Sequence, residues 1–170
     1  MKRWIAPISV LIATAAIAHW ATLHFAPSVI MDRALTALKD RGVALHAFTT
    51  PQRISPQTQV IVRSSPDLFY SLCRYDLSEH NETLKVTMGE WPDYQSLSFF
   101  DGNTINFAKF RGTGKSVTVR LVRPDLEYLD PNAVVSPTNR GVVLIRRLAP
   151  TQEAFDAAVE AAKVDSCDML

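Results

Sequence analysis

Three consecutive residues, Gly114, Lys115 and Ser116, have the types and order that end a nucleotide-binding P-loop. A P-loop holds phosphates with backbone amides and a lysine, and it needs a glycine five positions before the Gly-Lys pair and a helix directly afterwards. Position 109 is Lys, and residues 116 to 119 alternate as in a strand. We therefore predict that this stretch is a turn between two strands.

Other side chains that could perform catalysis are sparse. Beyond the first 30 residues the histidines are His46 and His80, which are far apart in the sequence. The chain contains no H-E-x-x-H, Cys-x-x-Cys or G-x-S-x-G motif, the usual signatures of zinc sites, redox or zinc cysteines and serine hydrolases. We expect no metal, no cofactor and no catalytic constellation.

The two cysteines, Cys73 and Cys167, could form one disulfide. Cys73 shares a predicted strand face with Phe69, Tyr75 and Leu77 and is expected to point inward, whereas Cys167 follows the last predicted helix. In an exported domain a bond between them would pin that helix to the strand, and closing so long a loop is worth on the order of 4 kcal/mol. Two unpaired thiols in a reducing compartment are the alternative. We favour the disulfide.

Length and charge bound the class of protein. The 170 residues suffice for one domain with a hydrophobic core, since 47% of them are apolar. Lys and Arg total 18 and Asp and Glu total 17, which gives a formal net charge of +1. A nucleic-acid binder would show a basic excess, so we expect no nucleic-acid partner.

The first 27 residues have the pattern of a membrane anchor. No charged side chain occurs between Arg3 and Asp32. The apolar run from Trp4 to Ala26 would form a helix of about 34 Å, enough to cross a hydrocarbon core of about 30 Å. We predict that Pro27 ends this span and that Ser28 begins a new helix.

A cleaved signal peptide is the alternative for the same segment. Lys2 and Arg3 would be its basic region, and residues 16 to 18, Ala-Ile-Ala, its cleavage site. The apolar run continues beyond that site, which favours a retained anchor. Positive charges flank both ends of the span, so the orientation rests on the signal-like layout, which favours export of the C-terminal part.

The remaining chain has first a helical and then a β periodicity. Residues 28–45 are predicted as a connecting amphipathic helix that stops at Gly42, and residues 46–170 as a β-rich domain. Within that domain, alternating apolar residues mark strands around Leu84, Leu97 and Val119, and Thr151 is positioned to cap a closing helix. We predict a mostly β (α+β) fold of about seven strands in an antiparallel sheet or sandwich, with a C-terminal helix packed on it.

Two central segments resemble the family called domain of unknown function 1254. The first, "VRSSPDLFYSLCRYDLS", and the second, "YQSLSFFDGNTINFA", match family patterns of spaced polar and aromatic residues at Asp67, Tyr70, Ser71, Asp76, Leu77, Tyr94, Ser96, Asp101, Asn106 and Phe107. The resemblance covers roughly residues 59 to 110. The chain departs from the pattern at Ser65-Pro66, where the family has paired asparagines, and at Leu68, where it has threonine.

The resemblance implies a β-rich domain in the cell envelope and assigns no reaction to it. The chain is similar to the short, membrane-anchored bacterial members, which are often encoded beside a second membrane-anchored protein carrying a companion domain. We therefore expect an inner-membrane protein with one N-terminal span and a periplasmic C-terminal domain that docks on such a companion.

An alternative function is a small-molecule- or lipid-binding module, or a weak hydrolase. Its pocket would be lined by a polar cluster made of Arg63, Asp67, Tyr70, Asp101 and Asn106. The simpler interpretation is that these residues serve turns and strand-end hydrogen bonds.

Overall fold

The computed structural model describes residues 2–55, 64–78, 83–112, 114–123 and 133–170. Along the chain the elements are α1 (Lys2–Asp40), β1 (Leu68–Asp76), β2 (Thr83–Met88), β3 (Gln95–Phe100), β4 (Asn106–Gly112), β5 (Val117–Val122), β6 (Val134–Val135), β7 (Arg140–Leu148), α2 (Gln152–Ala161), a 3₁₀ turn (Ala162–Val164) and β8 (Ser166–Met169). The predicted β-rich α+β fold is confirmed.

The strands form two four-stranded sheets. Sheet A has the order β1-β7-β3-β4 and is antiparallel throughout. Sheet B has the order β6-β5-β2-β8, antiparallel except for the parallel pair of β5 and β6. The P-loop-like stretch connects β4 of sheet A to β5 of sheet B, which confirms a strand-to-strand connection without a following helix.

One hydrophobic core lies between the sheets. Every second residue of β1 is buried, as the alternating sequence predicts, and Cys73 and Tyr75 point into this core. Phe69 belongs to a second apolar cluster, with Trp91 and Phe155. Sheet B contributes inward residues such as Leu84 and Leu121 to the core between the sheets. The two sheets thus form a sandwich whose inner faces share one apolar layer.

The predicted end of the first helix at Pro27 is wrong, because α1 runs without a break from Lys2 to Asp40. Proline fixes φ near the helical value and removes a single backbone donor. The turns after Pro27 pack on the sandwich, where Met31 is buried, and this packing offsets the lost bond. The predicted stop at Gly42 is confirmed: its φ is +80°, and the Gly42 N–H donates to Lys39 O at 2.9 Å.

The closing helix α2 is confirmed together with its cap. The Thr151 hydroxyl accepts the Ala154 N–H at 3.1 Å, and the buried Phe155 packs against Phe69 with ring centroids 5.4 Å apart. The chain does not finish there, since Cys167 lies in the further strand β8, opposite Val86 of β2. Sequence periodicity missed β8 because four residues are too few to display an alternation.

The predicted disulfide is confirmed between Cys73 and Cys167, whose Cα atoms are 6.7 Å apart. Cys73 belongs to β1, at one edge of sheet A, and Cys167 belongs to β8, at one edge of sheet B. The bond therefore joins the two sheets through their edge strands, rather than joining a helix to a strand as the sequence had indicated.

Candidate functional site

A polar groove lies between the C-terminal part of α1 and one end of the sandwich. It consists of two adjoining cavities of about 320 and 340 Å³ that share Asp32, Leu35 and Arg140 as lining residues. We call it the helix–sandwich groove. The first cavity is also lined by Lys39, Arg74 and Asp76, so five of its nine lining residues are charged.

The sandwich side of the groove is held by the segment that follows α1. This segment bridges to the outer edge of β1, where Leu45 pairs with Arg74. The Arg74 Nε donates to Val43 O at 2.8 Å, and His46 Nε2 lies 3.0 Å from both the backbone N and the backbone O of Asp76. These contacts fix Arg74 and Asp76 at the mouth of the groove.

The helix side carries Asp32 and Lys39. Arg140, at the start of β7, reaches Asp32 with an N–O distance of 3.9 Å, and their side chains are 59% and 63% exposed. So exposed a pair is worth at most about 1 kcal/mol. The groove thus brings together three cationic and two acidic side chains that are only weakly engaged with one another and can contact an outside ligand.

A buried network supports the same end of the sandwich. The Tyr75 hydroxyl lies 3.2 Å from Phe100 O and 2.9 Å from Ser136 Oγ, which in turn donates to Thr138 O at 2.6 Å. Burial raises the pKa of the Tyr75 phenol, with a further rise from the Asp101 carboxylate and a partial offset from the Ser136 hydrogen bond. Tyr75 therefore stays neutral and holds loops together rather than exchanging protons.

The structure separates the predicted polar cluster into two groups. Asp101 is fully buried after β3, and its Oδ1 accepts the N–H groups of Asn103 and Ile105, both at 2.8 Å. Asn106 is exposed at the start of β4, next to this loop. Asp101 therefore orders the β3–β4 turn through Oδ1, whereas its Oδ2 is buried without a hydrogen-bond partner among the described residues.

The second group lies at the other end of sheet A. Tyr70 of β1 pairs with Arg146 of β7. This pair lies four residues along β7 from the position that pairs with Phe100 of β3, a separation of about 13 Å along the strand. The Tyr70 hydroxyl accepts the Ser65 N–H at 3.0 Å, and Asp67 is an exposed residue of the same turn. Arg63 lies outside the described residues, and a ligand-binding role for the cluster stays a prediction.

Sequence reasoning did not select the groove residues. Asp32, Arg74 and Arg140 come from distant parts of the chain, and no local motif links them. Among residues 2–55, 64–78, 83–112, 114–123 and 133–170, no three His, Cys, Asp or Glu side chains come together as a metal site would require. The groove's chemistry is therefore that of charged and hydrogen-bonding side chains.

The helix α1 is long and apolar enough to cross a membrane. Its most apolar 18-residue window has a mean hydropathy of 1.6, and none of that window is buried by the rest of the protein. Length and composition alone support this statement, and a signal sequence would satisfy the same criterion.

A solved structure shares this fold. The VPA0106 protein from Vibrio parahaemolyticus is similar with a TM-score of 0.62 and 15% identity, over 85% of this chain and 35% of that protein. A putative uncharacterized protein from Burkholderia cenocepacia gives a TM-score of 0.48 and 12% identity, over 74% of this chain and 34% of that one. The chain thus spans about a third of the length of these proteins.

Among curated proteins, none matches the chain. A family model does match, and it covers residues 46–166, which is most of the chain and contains both segments whose spaced polar and aromatic residues resembled that family. The chain therefore belongs to the family described as "Protein of unknown function (DUF1254)".

Proposed function

We propose that this protein is an inner-membrane protein with a single span that presents its β-sandwich in the periplasm as an interaction module for a companion envelope protein. One observation carries the proposal: the large apolar side chains of α1 between Trp4 and Ile30 are 48–71% exposed. An apolar surface of that extent is unfavourable in water and favourable in a bilayer.

Two hydroxyl side chains inside this apolar segment are compatible with a hydrocarbon environment. Ser9 donates to Ile5 O at 2.9 Å and Thr22 to Ala18 O at 2.8 Å, so each hydroxyl is satisfied by its own helix. A hydroxyl without a partner would be costly in lipid, and intrahelical bonds of this type avoid that cost. The Ser9 and Thr22 hydroxyls can therefore lie in a membrane without external hydrogen-bond partners.

The Cys73–Cys167 disulfide supports export of the sandwich. Disulfides persist in oxidising compartments such as the bacterial periplasm and are rare in the cytosol. With the span at the N-terminus and the disulfide at the far end of the chain, the sandwich is expected on the periplasmic side.

The interaction role is supported by the free edge of sheet A. Among the described strands, β4 pairs only with β3, and a shallow depression of about 360 Å³ follows Asn106 to Lys109 along this edge. An edge strand offers unpaired backbone groups to a strand from another protein. Most of the Vibrio protein lies outside the part that this chain covers, and we propose that a companion supplies comparable additional structure.

Site-specific photo-crosslinking tests the docking. A benzophenone amino acid replaces Lys109 on β4, or Glu153 on the exposed face of α2 as the matched control. With the neighbouring membrane-anchored protein co-expressed, we expect a heteromeric adduct from position 109 and none from position 153. Adducts of equal yield from both positions, or a monomer in both cases, would contradict the docking proposal.

A further inference from the structure

The mouth of the helix–sandwich groove lies where the exposed apolar surface of α1 ends. Val29 and Ile30 are 48% and 59% exposed, and Ser28 and Asp32, one turn apart on the helix, line the groove. Asp32 is two residues beyond Ile30, which is about 3 Å along the helix axis. If the apolar part of α1 as far as Ile30 lies in a bilayer, the end of the groove that Ser28 and Asp32 line lies within the head-group layer, which is about 5–8 Å thick on each side.

The charges of the groove suit a ligand with both signs of charge. Lys39, Arg74 and Arg140 line one cavity together with Asp32 and Asp76. Guanidinium groups bind phosphate oxygens through two parallel hydrogen bonds, and carboxylates pair with ammonium groups. A phosphate ester that also carries an amine would pair with both the cationic and the acidic residues of this lining.

The existing contacts leave Asp32 and the three cations available, whereas the Asp76 Oδ1 already accepts the Ser78 N–H and hydroxyl. Arg140 and Asp32 are 3.9 Å apart and largely exposed, too far for a close hydrogen-bonded pair. The Arg74 Nε is used by Val43 O, which orients the guanidinium without neutralising its charge. A ligand phosphate entering the cavity would therefore meet oriented cations rather than closed salt bridges.

We propose that the helix–sandwich groove binds the head group of a phosphoethanolamine lipid. Arg74, Arg140 and Lys39 hold the phosphate, and Asp32 holds the ammonium group. The acyl chains follow the apolar surface of α1. This inference rests on the proposed membrane anchoring and adds a specific ligand to it.

The test compares two double variants of the full chain in a non-ionic detergent. K39Q/R140Q removes one lysine and one arginine from the groove, both exposed, and retains Arg74 with its backbone contact. K109Q/R111Q removes the same two charges from the exposed side of β4. Calorimetric titration with dihexanoyl-phosphatidylethanolamine, O-phosphoethanolamine and inorganic phosphate measures the three affinities.

We expect K39Q/R140Q to bind the short-chain lipid about tenfold more weakly than the unmodified chain, because charge-assisted contacts are lost. K109Q/R111Q is expected to bind it unchanged, and inorganic phosphate is expected to bind much more weakly than the lipid. Equal lipid affinity in both double variants overturns the site. If free O-phosphoethanolamine binds as tightly as the lipid, the proposal that the ligand is a lipid is overturned.

Failure of this inference is distinguishable from failure of membrane anchoring. Resistance of the protein to carbonate extraction from membranes reports anchoring and does not depend on the groove. Membrane retention combined with unchanged lipid affinity in K39Q/R140Q would remove only the lipid site. Loss of membrane retention would remove the proposed anchoring as well.

Discussion

Arg147 and Asp165 form a bidentate ion pair in which both side chains are fully buried. The Nη1 of Arg147 lies 2.7 Å from Oδ2 and its Nη2 2.6 Å from Oδ1, which also accepts the Gly89 N–H at 2.8 Å. Arg147 belongs to β7 of sheet A, and Asp165 directly precedes β8 of sheet B. The pair therefore links sheet A to sheet B, and its two residues flank α2 in the sequence.

Removing one partner of this pair should destabilise the sandwich strongly. Asp165→Asn leaves a buried guanidinium without its counter-charge, and we expect the free energy of unfolding to fall by about 3–5 kcal/mol. Urea unfolding followed by circular dichroism measures the change. Lys163→Gln, which removes the exposed Lys163–Glu160 pair, is the control and should change stability by less than about 1 kcal/mol. Equal effects of the two substitutions would contradict the role of the buried pair.

Reduction of the Cys73–Cys167 bond should lower the free energy of unfolding by about 4 kcal/mol, because the bond closes a loop of 94 residues in the unfolded chain. Urea unfolding with and without dithiothreitol measures the difference. The double variant Cys73→Ala with Cys167→Ala should be insensitive to the reductant. An unmodified chain with the same midpoint in both conditions would show that the cross-link adds no stability.

Tyr70→Phe distinguishes a turn role from a ligand role. It removes the acceptor of the Ser65 N–H, and we expect a loss of about 1 kcal/mol with the fold retained. Asp67→Asn, an exposed change in the same turn, should be almost neutral. Thermal unfolding of both variants measures these effects. Unchanged stability of Tyr70→Phe would favour the ligand-binding hypothesis for this residue.

Gly141 is placed where no side chain fits. A Cβ at this position would lie 2.0 Å from Phe100 O and 2.4 Å from the Tyr75 hydroxyl. We expect Gly141→Ala to cost about 3 kcal/mol or more, since a backbone carbonyl cannot move aside. Gly42→Ala, with no atom within 4 Å, bears only the left-handed backbone cost of about 1 kcal/mol. A chemical-denaturation midpoint lowered equally by both would contradict this packing argument.

Local signals in the sequence predicted much of this fold. The alternation around Cys73, the cap at Thr151 and the stop at Gly42 each depend on neighbouring residues, and each is confirmed. The helix running through Pro27 was missed because packing of Met31 on the sandwich outweighs a local breaker. Tertiary contacts thus determined the extent of this helix, where local propensity was ambiguous.

The candidate site was not predictable in the same way. Asp101 and Tyr70 lie at opposite ends of sheet A because strand order, which the sequence does not encode locally, places the two ends apart. Asp32 and Arg140 meet because a helix far from β7 in the chain packs beside it. Only the three-dimensional arrangement brings the groove charges together.

The intact mass of the protein from carbonate-washed membranes, alkylated in denaturant without reduction, tests the central claim most directly. A retained anchor and an exported, oxidised sandwich predict the mass of the complete 170-residue chain with no alkyl label on Cys73 or Cys167. A mass beginning near His19, or a complete chain carrying two labels, would contradict the account.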